Sequence, residues 1–435
     1  MRRHRLGHPL ALVLVAALVA LAGATPAHAG EVPVVTPVSE TPPFFDDEEG
    51  GNADADDPAI WRNAAQPGKS LVVATAKEGG LRVYDLDARG VQSLAAPQPP
   101  GAGDAPGRFN NVDLLSGLRL PTGRADVAVV SDRGNDRLRV YRIDPSRAGG
   151  PLTDITDPAA PAVFSADQDE INEQRTAYGL ATWQDRATGR SHALVSRRNE
   201  TRLALLELRA TATGTVGYRK VRTLDLPSSF RLPDGTSWTP CAEPGERPQV
   251  EGMVVDPAGG VLYAAQEDVG IWRLRADLTS TPKLMDRVKE YGIPGTYDEA
   301  TEECIPGADP GYGGSRLSAD VEGLTLFQES GSDGYLFASS QGDDTFALYD
   351  READEGNEYE GGFRVGPAGQ LLDGSEECDG AAVLNAPLGS RYPRGLLVVQ
   401  DGHDTPAVTD ENGEEREATG FKFVDLGTVM DRVDP

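Results

Sequence analysis

Gln249–Asp256 reads QVEGMVVD and Asp320–Phe327 reads DVEGLTLF. Each is an acidic or polar residue, then a small one, then an apolar run. Looser copies are DDPAIW at Asp56–Trp61, NNVDLL at Asn110–Leu115, AYGLATW at Ala177–Trp183 and CDGAAVL at Cys378–Leu384. Repetition of one supersecondary phrase along a chain is the mark of a repeat architecture. After each phrase comes a second apolar run ending in polar or charged residues. Examples are LVVATAKEGGLRVYDL at Leu71–Leu86 and GYLFASSQGDDTFALYD at Gly334–Asp350. Alternation and β-branched content favour strands over helices. Each unit therefore reads as four antiparallel strands, and six units predict an all-β, six-bladed β-propeller. FKFVDL at Phe421–Leu426 is expected to be the outer strand of the last blade.

The domain organisation follows from this count. Residues 30–45, rich in Pro and Thr, read as an extended lead-in, and residues 46–435 as a single propeller domain. Thr236–Pro248 and Val288–Arg316 are expected to be surface loops beside one mouth, and Val408–Thr419 an irregular, mobile one. Arg2, Arg3 and Arg5, then an apolar stretch and Ala27-His28-Ala29, predict a secretory signal peptide over residues 1–29. Secretion, an extracellular location and a monomer are expected. Export permits disulfides. Cys241 and Cys304 lie in Pro/Gly-rich loops flanking the same repeat and are expected to be bridged, leaving Cys378 as a buried thiol.

Forty-one basic and 69 acidic residues give a formal net charge of −28. Such a field opposes nucleic acid and anionic membranes as partners. The acids are also placed. The phrases carry Asp56, Asp57, Tyr178, Glu251, Asp320, Glu322 and Asp379, and the second runs end in Glu267, Gln341 and Asp401. A ring of strands gathers these at one rim, where unaided carboxylates repel one another. Oxygen ligands without histidine or thiolate favour calcium over zinc or copper. The second runs of the first three units end instead in Lys77, Arg133, Arg197 and Arg198. Cations opposite metal-bound acids suit a polyanion such as a phosphate ester. Beyond residue 29 the only histidines are His192 and His403, and no phosphate-binding Gly-rich loop with Lys-Ser/Thr appears.

The blocks DADDPAIW, NNVD, QVEGMVVD with QEDVGIWRL, DVEGLTL with SSQGDDTFALYD, LDGSEECDG and YPRGLLVVQDG occur in order over nearly the whole chain. In these the chain resembles the β-propeller phytases, secreted calcium-dependent 3-phytases acting on myo-inositol hexakisphosphate (phytate) or its calcium salt. The resemblance implies direct attack by a calcium-bound water. It implies catalytic calcium ligands at Asp56, Tyr178, Glu251, Glu267, Asp320, Glu322, Gln341 and Asp379. It implies a second calcium between Asp57 and the carbonyls of Pro58 and Val112, and a stabilising calcium at Asp373 and Asp401. Lys77, Arg133 and Arg198 match phosphate-binding positions, Arg198 standing where the family has lysine. Glu78 stands where the family often has a second lysine. Two other readings compete: a six-bladed calcium-dependent lactonase or phosphodiesterase, and a propeller that binds without catalysis. Fold alone does not separate them.

Overall fold

All six phrases form the same element. In the computed structural model, which describes residues 32–47, 54–352, 356–433 and 435, they are the strands Pro58–Trp61, Phe109–Leu120, Ala177–Gln184, Val250–Asp256, Val321–Gln328 and Ala381–Leu384. Each begins a four-stranded antiparallel meander, and the six meanders are the blades of a β-propeller. The six starting strands pack against one another in a closed ring, the last against the first, so they surround the axis. Two of the second strands, Leu71–Thr75 and Leu396–Asp401, are buried along their whole length. A strand covered on both faces by neighbouring blades has no solvent side, which is why these runs are continuously apolar. Outer strands meet water: most of Val216–Asp225 is exposed after its first residues.

The small residue of the phrase has a steric cause. A Cβ added at Gly252 would lie 1.4 Å from the carbonyl oxygen of Glu322, and one at Gly179 would lie 2.0 Å from that of Glu251. Gly323 meets the Asp379 carbonyl in the same way, at 2.8 Å. Each glycine thus admits the backbone of the next blade's acidic residue, and only glycine permits this approach. The pairing with the second strand shifts register at these places, between Ala177 and Leu180, Val250 and Met253, and Val321 and Leu324. Such bulges re-aim side chains at the rims of closed sheets.

Two expectations are corrected. The strand containing FKFVDL, Ala418–Asp425, is third in the last blade, and the outermost strand is Ser39–Glu40 from the N-terminal segment. Val34–Val35 also pairs, in parallel, with Tyr359–Val365 of the fifth blade. Pairs this short, set among Pro33, Pro42 and Pro43, carry no periodicity to read. They cover two sheet edges that would otherwise be open. Val408–Thr419 is not irregular throughout. Val408–Thr409 pairs with Glu415–Arg416, and Arg416 pairs with Asp47. Of the two insert loops, the first pairs its Ser237–Trp238 with Phe230–Arg231 just before it, and the second carries a hairpin of its own, Gly295–Asp298 with Glu303–Pro306. A Cys241–Cys304 disulfide ties them, and Cys378 is free and buried, as expected. The signal peptide lies outside the described residues. Among the described residues no helix is long and apolar enough to cross a membrane.

Candidate active site

The rim where the inner strands begin collects the acids of four blades. Glu251, Glu267 and Glu322 each offer a carboxylate oxygen within 4.8 Å of the others, and all three are buried. Part of their demand is met by neighbours. Tyr178 OH donates to Glu251 Oε2 at 2.5 Å, and Asn110 Nδ2 donates to Glu251 Oε1 at 2.6 Å. Gln249 Nε2 donates to Glu267 Oε2 at 2.9 Å. Gln341 Nε2 bridges Glu322 Oε2 at 3.1 Å and Asp379 Oδ1 at 2.7 Å. Part is not met. Both oxygens of Asp56 and Oε1 of Glu267 are buried without a hydrogen-bond partner. Buried polar atoms are rarely left in that state unless a water or ion completes them.

The electrostatics show the same deficit. Burial, and then the negative charge of Asp379, push the Glu251 carboxyl up to about 7. Burial, then Asp379, Glu251 and Glu267, push Glu322 well above the carboxylate range, and burial with Asp320 and Glu251 does so for Glu267. Asp56 is raised by burial too, although Lys77 opposes the shift. Asp320 joins through Asp268: the two carboxyls share a hydrogen bond, and burial with the Asp320 charge raises Asp268 to about 7. Stacked carboxylates can stay charged here only if cations join them. The all-oxygen donor set and the orphaned atoms fit a hard divalent cation such as calcium.

The cations occupy the adjoining arc. Lys77 Nζ lies 2.6 Å from Asp54 Oδ2, 3.4 Å from Asp379 Oδ2 and 3.8 Å from Asp56 Oδ2. Burial opposes its charge, but Asp379, Asp56 and Asp54 outweigh it and hold its pKa above the usual lysine range. Arg133 Nη1 reaches Asn110 Oδ1 at 3.3 Å, and its guanidinium lies 5.8 Å from the Tyr178 ring centroid. Burial, then the charges of Arg198 and Arg108, lower Arg133 to about 10. Arg197 is engaged elsewhere: Nε donates to the Arg175 carbonyl at 2.7 Å and the guanidinium lies against Phe164. A cavity of about 690 Å³ opens here, lined by Asp54, Lys77, Arg108, Gln341, Asp379 and His403 among others.

The two other expected metal positions differ from this one. Val112 N donates to Asp57 Oδ2 at 3.0 Å, which joins the first two blades beside Pro58. Asp373 and Asp401 converge with Glu40 and Asp404 on the ammonium of Lys422, whose side chain is 0% exposed. Nζ is 2.9 Å from Glu40 Oε2, 3.0 Å from Asp401 Oδ2 and 2.7 Å from Asp404 Oδ1. Four carboxylates face one ammonium there, so a cation beside it is compatible with the charge. The residues not foreseen from sequence include Asp54, Arg108, Gln249, Asp268, Glu40, Lys422 and Asp404. Asp268 and Gln249 adjoin expected ligands in QEDVG and QVEG, and that adjacency is the signal by which they were open to discovery.

A protein-family model described as Phytase matches residues 5–232 and 306–434. A curated 3-phytase of Bacillus subtilis (strain 168) is 33% identical over 372 residues, covering 85% of this chain and 79% of that protein. Among solved structures, the calcium-binding protein regucalcin from Agrobacterium tumefaciens str. C58 overlays with a TM-score of 0.46 at 11% identity, covering 91% of this chain and 97% of that one. That overlay is too loose to bear on function.

Proposed function

The chain belongs to the phytase family, and we propose that it is a secreted, calcium-dependent 3-phytase that hydrolyses phosphate monoesters of phytate. The observation that carries this reading is the juxtaposition at one rim. Buried carboxylates with unmet oxygens stand next to a row of cations, and Lys77, Gln341 and Asp379 from the same rim line a cavity.

Calcium would be held by Asp56, Glu251, Glu267, Asp320, Glu322 and Asp379, with Tyr178 and Gln341 completing or orienting the set. Bound there, it supplies positive charge to the phosphoryl group in flight and lowers the pKa of a water for attack. The remaining work belongs to the chain. Lys77, Arg133 and Arg198 hold phosphate oxygens and orient one ester toward the carboxylates. Tyr178 and Asn110 fix both oxygens of Glu251, so the ligand does not turn away. Gln341 fixes Glu322 and Asp379 together. Rigid supports of this kind preserve charge stabilisation through the reaction. No serine, cysteine or histidine is needed as a covalent relay.

Further calcium at Asp57, Pro58 and Val112 would join the first two blades, and calcium beside Asp373 and Asp401 would brace the last. The Cys241–Cys304 bridge supports an oxidising destination. The test is product analysis on purified protein in excess calcium, with phytate and a lactone panel side by side. Phosphate and inositol pentakisphosphate are expected from phytate, and no lactone opening. Lactone turnover without phosphate release would reject the reading.

A further inference from the structure

The basic residues of this acidic chain are not spread evenly. Between Asp185 and Asp225 stand nine lysines and arginines against four acids, in a sequence that holds 41 and 69 overall. The stretch forms the outer three strands of the third blade, Ser191–Arg197, Arg202–Ala210 and Val216–Asp225. A bulge orders its charges. Arg219 pairs across to Glu207 and Arg222 to Leu205, and Val221 is left over between them. Plain alternation would put Arg219 and Arg222 on opposite faces. The extra residue turns both to the Glu207 side. Arg219 and Arg209 each reach Glu207 Oε2, at 2.7 and 3.1 Å. Their hydrogen bonds hold the Glu207 carboxyl down at about 2, and the charge of Arg190 adds to the effect. Glu207 is thus one carboxylate for three arginines. Arg222 adds a fourth cation, its Nη1 donating to the Asp277 carbonyl of the fourth blade at 2.8 Å. Neither Arg190 nor Arg222 has an ion pair among the described residues, and all four arginines are exposed.

Two plain roles do not account for this. Charged side chains guard an open sheet edge against pairing, yet the outer strand of the first blade, Gly90–Leu94, has no charged residue. One arginine would satisfy Glu207. We infer that the arginine face between the third and fourth blades is a docking surface for a linear acidic polysaccharide, whose carboxylate or sulfate groups take the guanidinium forks. The shape selects a chain. At ten residues the outer strand is about 33 Å long. A polymer lying along it meets the local cations, while charges more than about 10 Å away are screened. A membrane would present a plane and meet the whole field of −28. A single-stranded nucleic acid needs rings to stack on, and no aromatic ring is among the exposed large hydrophobics of the described residues. Arg190 precedes the second strand of the blade and Arg209 ends the third. Because the inner strand Ala177–Gln184 starts at the rim, both lie at the opposite end of the blade. A bound chain therefore leaves the mouth open.

The test is calorimetric titration of the full-length, calcium-loaded protein with size-fractionated heparin at low ionic strength. The double variant Arg190→Gln/Arg222→Gln leaves both Glu207 pairs in place and is expected to bind about tenfold more weakly. Arg142→Gln/Arg147→Gln, at two exposed arginines of the second blade, should bind as the parent does. Added salt should weaken binding by the parent. Phosphate release from phytate should be the same in all three proteins, and melting curves check the fold. Equal heparin affinity in the parent and in Arg190→Gln/Arg222→Gln would overturn the inference, as would no measurable binding by the parent. Heparin that survives the double variant and is displaced by myo-inositol hexasulfate would put the chain at the mouth and overturn it too. Capture of phosphatidylglycerol vesicles through the same arginines would overturn the choice of a polysaccharide.

Discussion

Two sets of buried carboxylates in this molecule are neutralised in opposite ways. On the last blade, Glu40, Asp373, Asp401 and Asp404 close around Lys422. Burial opposes the lysine's charge, but the four acids outweigh it and keep it protonated. At the rim, Glu251, Glu267 and Glu322 meet with no lysine or arginine among them, and Asp56 and Glu267 keep oxygens without a hydrogen-bond partner. The first set carries its cation in the sequence. It staples the N-terminal strand, through Glu40, to the strand that closes the ring. The second set has no such cation within it, and on the proposed reading bound calcium meets its charge. Composition alone could not tell them apart; what differs is the lysine inserted into one.

Breaking the rim set should have the largest effect. Glu251→Ala removes a proposed calcium ligand that contributes little to the blade core. Phosphate release is expected to fall about a thousandfold or more, with the far-ultraviolet spectrum retained. Comparable activity in that variant at ordinary calcium would place the chemistry elsewhere.

Breaking the other set should cost stability before activity. Lys422→Met leaves four carboxylates around an apolar chain. Loss of one partner from a buried ionic group costs about 3–5 kcal/mol. The melting temperature should drop, and calcium should restore more of it than in the parent protein, because the last blade then resembles the rim. A variant that melts with the parent would deny the clasp its role.

The contrast also has a pH signature. In the calcium-free protein, burial and Asp379 hold the folded Glu251 pKa near 7, above its ordinary 4.5. The folded state therefore binds more protons than the unfolded one between those values. The linkage slope is negative in that window, so stability present below about 4.5 is lost as pH rises toward about 7. Chelated protein should melt higher at pH 5 than at pH 7.5, and saturating calcium should shrink or reverse that difference. A chelated protein that gains stability over this range would contradict the reading of the rim.

The smallest effect is expected on the cationic arc. Arg198→Ala removes one phosphate contact and no metal ligand, so KM for phytate should rise about tenfold while kcat changes less. A steady-state comparison that found the loss mainly in kcat would move Arg198 into the reacting centre.

The propeller was legible because its repeat is steric. Gly179, Gly252 and Gly323 must be small for the inner strands to meet, and the residue before each, Tyr178, Glu251 and Glu322, is carried to the rim by the same geometry. That reading recovered the inner strands of all six blades and the carboxylates that converge. It did not recover the N-terminal strands, since two-residue pairings leave no pattern. It also missed Lys422, which in FKFVDL occupies a strand position like any other polar residue. Its burial depends on Glu40, brought from the opposite end of the described chain. Arg197 and Arg198 are adjacent, and period-two alternation sends neighbours to opposite sides of a strand. The sequence could not say which is engaged away from the rim; the contacts of Arg197 with Arg175 and Phe164 show that Arg197 is.

The central claim is that the rim carboxylates work only with calcium among them. The direct measurement is phosphate release from phytate by protein stripped with a chelator, followed by stepwise return of calcium, with Glu251→Ala in parallel. The account predicts no release from stripped protein, recovery on calcium return, and no recovery in the variant. Undiminished release from the stripped protein would contradict it.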